Sequence, residues 1–151
     1  MKVLTLLALL LTSVGHAESL TPDLIQLDGQ YEMQLDINGT VFKDIMVLQG
    51  KDQPMTLNNF KGPLAGTIEV TGMFKSSLEG VGSCNLDNST CAFDFFIIAN
   101  ENTQSFKVIY KMQLEQNDFT KLINGETKQI RLTGTAYLED GSELGKFVAT
   151  K

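Results

Sequence analysis

Residues 31 to 47 read "YEMQLDINGTVFKDIMV", and the two-residue spacing of the apolar side chains restricts the fold more than any other feature of the chain. In an extended strand Tyr31, Met33, Leu35 and Ile37 share one face, while Glu32, Gln34 and Asp36 share the other. Asn38-Gly39 is the strongest two-residue signal for a type I′ hairpin, so "TVFKDIMVL" is the expected return strand. With Asn38 and Gly39 as the loop, Leu35 falls opposite Phe42 and Tyr31 opposite Met46 on the apolar face. Gln34 with Lys43 and Glu32 with Ile45 share the wetter face. The same register puts a carboxylate, Asp44, among the apolar side chains.

Period-two alternation recurs along the chain, and no stretch after the N-terminal segment holds a helical period. In "FKVIYKMQLE", Phe106, Val108, Tyr110, Met112 and Leu114 form one face. The preceding "AFDFFIIA" is apolar on both faces apart from Asp94, which predicts a strand that is central or covered twice, with "NENTQ" joining the two as a hairpin. "QIRLTGTAYL" and "SELGKFVAT" make a terminal pair around Asp140-Gly141. Residues 117–127 are ambiguous: Asp118 could cap a helical turn, or Asn124-Gly125 could close another hairpin.

Leu-x-Gly before alternating apolar residues occurs three times, at Gly29, Gly66 and Gly134, with separations too unequal for tandem repeats. Glycine inside a strand permits a bulge or a sharp bend where a sheet closes. The expected fold is therefore all-β, one antiparallel meander of seven or eight strands forming a barrel, with a β-sandwich as the alternative.

The first residues, "MKVLTLLALLLTSVGHAESL", read as a secretory signal peptide over 1–17, leaving one all-β domain over 18–151. Lys2 supplies the basic start, Val3 to Val14 the apolar stretch, and Gly15-His16-Ala17 the small residues before a cut. The apolar run is far shorter than the roughly 20 residues a membrane span needs, so no insertion is expected after cleavage. Export to the periplasm or outside follows. Lys2 is one of 12 basic residues, so the mature chain carries 18 acidic residues against 11 basic ones, a balance of −7. With one arginine, Arg131, it is a poor partner for nucleic acid, which needs clustered Lys and Arg.

Cys84 and Cys91 are the only cysteines, separated by the turn-forming "NLDNST". The spacing is not the Cys-x-x-Cys of redox sites, and an oxidising compartment converts such pairs to disulfides. A zinc site would want two more ligands, and the one histidine of the chain, His16, falls in the signal segment. The pair is therefore a staple. Asn38 in "NGT" and Asn88 in "NST" match the N-glycosylation acceptor, meaningful in a host that glycosylates secreted chains.

A signal-bearing chain that opens its meander with "LDGQY" and closes it with "LTGTAYLEDGSELGKFVATK" resembles the calycin barrels, which include lipocalins and avidin-like proteins. The Gly-x-Trp typical of lipocalins is replaced by Gly29-Gln30-Tyr31, and no ligand residue is carried over from the resemblance.

Without histidine, nucleophilic catalysis with an imidazole base is closed to the mature chain. Carboxylate chemistry remains, and the two oddly placed acids are Asp44 and Asp94. Oxygen-rich "LEDGSE" and "NLDNST" do not match an EF-hand ladder, so no metal and no cofactor is expected. The leading expectation is an exported, monomeric, non-enzymatic binding barrel for a small apolar ligand or a protein partner. Tyr31, Met33, Asp44, Tyr110 and Met112 are its candidate ligand residues. An ordinary filled core is the plain alternative for each of them. An acidic inhibitor of a basic enzyme, and then a carboxylate hydrolase, are the other readings.

Overall fold

Asn38 and Gly39 both take positive φ, 52° and 85°, as a type I′ turn requires, and Asp36 Oδ1 accepts from Gly39 N at 2.7 Å. That turn joins β1 (Gly29–Ile37) to β2 (Thr40–Gly50) in the expected register: Leu35 faces Phe42, Met33 faces Asp44 and Tyr31 faces Met46. The computed structural model describes residues 19–72, 74–101 and 104–151. The signal segment read at 1–17 and the tip of the "NENTQ" hairpin lie outside the described residues.

The chain continues as β3 (Lys61–Val70), β4 (Phe74–Asn85), β5 (Thr90–Glu101), β6 (Gln104–Leu114), helix α1 (Gln116–Ile123), β7 (Arg131–Leu138) and β8 (Glu143–Thr150). Each strand pairs antiparallel with the next, and β8 returns to β1 through Glu32–Thr150 to Asp36–Lys146. The result is a closed eight-stranded barrel, not a sandwich. Closure leaves no free edge, which removes the usual route to edge-to-edge aggregation. An eight-stranded barrel has an interior about as wide as its side chains can fill.

Alternation delivers those side chains. On β5, Phe93, Phe95 and Ile97 point in and are buried, while Asp94 and Ile98 are exposed outside. The expectation that this strand is covered twice is thus corrected: its outer apolar residues meet solvent or a lysine stem, Lys107 lying 4.2 Å over the Phe96 ring. In a barrel no second layer is available, and Lys107 shields Phe96 by snorkelling.

Gly66 and Gly134 act as points of close approach. A Cβ on Gly66 would overlap the Val47 carbonyl, and one on Gly134 would stand 2.6 Å from Cζ of Phe147, its partner across the ladder. The shift in the β7–β8 ladder falls at Ala136/Tyr137, opposite Gly145 and Glu143, and not at Gly134.

The two ends of the barrel differ. At one end Ile25, Leu27, Met55, Leu57 and Phe60 from the segments flanking β1 and β2, with Phe119 and Leu122 of α1, are buried as a plug. Leu27 N donates to Met55 O at 2.8 Å, and Asp28 accepts from Gly50 N and Met55 N, which fixes the plug to the wall. The ambiguous stretch 117–127 is helix as far as Ile123 and turn beyond it. Glu126 N donates to Lys121 O and Gly125 N to Leu122 O, so Asn124-Gly125 ends α1 as a Schellman cap, with Gly125 at φ 69°. The disulfide Cys84–Cys91 joins directly opposed residues of β4 and β5 at this same end. Closing so short a loop contributes about 2.5 kcal/mol on a chain-entropy account.

Candidate functional site

The other end carries the β1–β2, β3–β4, β5–β6 and β7–β8 turns, and among the described residues no segment folds across it. Every strand but β7 sends an apolar side chain into it. Leu35 and Ile37 come from β1, Phe42 from β2, Val70 from β3, Phe74 from β4 and Ile97 from β5. Phe106, Val108 and Tyr110 of β6 and Leu144 of β8 complete the ring. Together they enclose a cup of about 180 Å3 that opens between the turns. Below Tyr110 the barrel is filled: its ring stacks on Phe95 at 5.0 Å and meets Phe147 edge-on at 5.5 Å.

One carboxylate enters this lining. Asp44 is 3% exposed, and neither carboxylate oxygen has a hydrogen-bond partner among the described residues. Its ladder neighbours are Met33 on β1 and Val70 on β3, neither able to pair with it. Burial alone pushes its pKa up to about 6. Burial, and then the Asp44 charge, push the Tyr110 hydroxyl up as well. A buried carboxylate without a partner is costly, so its presence in the cup asks for a compensating group.

The side chains marked in the sequence divide between three places. Asp44 and Tyr110 meet in the cup. Met33 and Met112 are buried in the wall and line none of it, and Tyr31 lies towards the plug, its hydroxyl donating to Leu27 O at 2.6 Å. The rest of the rim, including Phe42, Val70, Phe74 and Leu144, was not marked in advance. For Phe42, Val70 and Phe74 the sequence signal was an inward-phase apolar residue beside a turn, whereas Leu144 is out of phase with the inward Phe147 and Ala149 and lies at the β7–β8 ladder shift.

Asp94 lies on the outer wall, exposed, opposite Lys111. Asp44 and Asp94 therefore face opposite sides of the barrel, and no second carboxylate of the described residues lines the cup to complete an acid pair. Two broader depressions, of about 430 and 470 Å3, lie on the outer wall and share Ala92 and Asp94. They are wider than the cup but open to solvent, and no buried polar group points into them. Asn38 and Asn88 sit in exposed turns. Among the described residues no helix is long and apolar enough to cross a membrane.

No protein-family model, no curated protein and no solved structure matches the chain.

Proposed function

We propose that this protein is an exported, calycin-like binding barrel whose hairpin-end cup takes a small apolar molecule. The observation that carries the reading is the asymmetry of the two ends: one is plugged by five flanking apolar side chains and a helix, the other keeps an apolar cup. A cup lined by apolar side chains with few convergent polar groups is the usual form of a small-molecule site. At about 180 Å3 it is smaller than most drug-sized pockets, so the ligand, or the part that enters, is compact. The disulfide supports export, because such bonds persist in oxidising compartments. The barrel and its meander support the calycin-like reading.

Titration with a neutral, environment-sensitive naphthalene dye tests the proposal. The expected result is a saturable rise in fluorescence, lost when Val70→Trp fills the cup and retained when Val81→Trp alters the outer wall. Val70 lines the cup, whereas Val81 is exposed outside it. No rise, or an equal rise in all three proteins, would overturn the reading.

A further inference from the structure

We infer that the ligand of the cup is a compact organic ammonium ion: an apolar body seated among Leu35, Phe42, Val70 and Val108, with its N–H groups donated to Asp44. This rests on the cup being a ligand site and adds the chemistry of what enters. Asp44 presents two buried acceptor oxygens with no donor. An ionised carboxylate is acceptor-only, so the partner that satisfies it must donate, and a charged donor does so most strongly.

Among the described residues the cup lining supplies no charged donor. Facing Asp44 from the neighbouring strands are Met33 of β1, Val70 of β3 and, across the cup, Tyr110 of β6. Tyr110 is the one titratable group among them, and no lysine or arginine of the described residues lines the cup. An anionic ligand would bring a second negative charge into an apolar site beside the first. A neutral hydrocarbon would leave the carboxylate orphaned. An ammonium ion satisfies both the apolar wall and the acid.

The rim agrees in sign. The turn between β7 and β8 exposes Glu139, Asp140 and Glu143 next to Leu144 of the cup, and hydrogen bonds from Ser142 hold the Asp140 carboxyl below the usual carboxylate range. With a net charge of −6 on the whole chain, the surroundings attract cations. The size also fits, since an apolar cavity of about 150 Å3 accepts benzene.

The probes are therefore benzylammonium, benzyl alcohol and benzoate, measured by calorimetry against the wild type and Asp44→Asn. At about pH 7.5 benzylammonium should bind the wild type about tenfold or more tighter than benzyl alcohol, with benzoate weakest. Asp44→Asn should remove most of that preference while keeping the alcohol's affinity. As the pH falls through about 6, Asp44 takes up a proton and the ammonium's advantage should shrink. If benzyl alcohol or benzoate binds the wild type as well as benzylammonium does, the ammonium inference is wrong and the apolar site stands. If none of the three binds, both are wrong. The wild-type series decides the matter even if the variant does not fold.

Discussion

Replacing Gly80 by alanine prevents the barrel from closing. Gly80 lies inside β4 opposite Phe95 of β5, and a Cβ there would overlap the Asp94 carbonyl oxygen and stand 2.5 Å from both Cα and Cβ of Phe95. Backbone atoms and a ring root cannot step aside as a flexible side-chain end can. To admit one methyl group, the β4–β5 ladder must part where Phe95 carries the stack beneath the cup. Phe95 supports Tyr110, so the site is lost with the ladder. The expected loss exceeds about 4 kcal/mol, enough to unfold a domain of ordinary marginal stability. The neighbouring Val81→Ala, on the exposed outer face, should change stability by no more than about 0.5 kcal/mol. Urea unfolding with the disulfide intact measures both. A Gly80→Ala protein with the wild-type midpoint would mean that β4 and β5 are not paired in this register.

Asp44 has the second large effect, and its sign is opposite to that of most native carboxylates. Its pKa is about 6 in the folded chain against 3.8 when unfolded. Between these values the folded protein holds a proton that the unfolded chain has released, so stability from this group is greatest below about pH 4 and is lost as the pH rises through 6. Above that, both states are ionised and the fold carries a buried charge. Relative to Asp44→Asn, which does not titrate, the wild type should therefore gain about 2 kcal/mol between about pH 7 and about pH 4. Paired urea titrations at the two pH values give the difference directly. Parallel behaviour of the two proteins would show that Asp44 is solvated.

Much of this fold is legible in the sequence because a closed meander is made of local signals. Asn38-Gly39 sets the β1–β2 register, and that register alone puts Asp44 inside the barrel. Alternation marks the inward faces of β5 and β6, and the Cys84–Cys91 spacing reads as a staple across one hairpin. One stretch stayed open and one reading failed for the same reason: a single residue pattern serves different long-range settings. Asn124-Gly125 suits a hairpin and a helix cap equally, and Phe119 with Leu122, three apart, points to helix only once the barrel end needs covering. The apolar outer face of β5 reads as a second buried side until closure of the sheet leaves that side in water. The cup was less visible than the barrel. Its lining is drawn from seven strands, and the residues nearest each turn look like any other core positions until one end is known to be plugged. Of its lining only Asp44 and Tyr110 were marked in the sequence, Asp44 because a carboxylate breaks the apolar phase.

The account turns on the hairpin end being the binding end. Carbon-detected shifts of the Ile, Leu and Val methyl groups, recorded as toluene is added, test this most directly. The account predicts saturable shifts at Leu35, Ile37, Val70, Ile97, Val108 and Leu144, which line the cup, with Leu48, Leu57 and Leu132 unmoved in the filled interior and plug. Shifts confined to the outer wall around Val81 or to the plugged end, or no shifts at all, would contradict it.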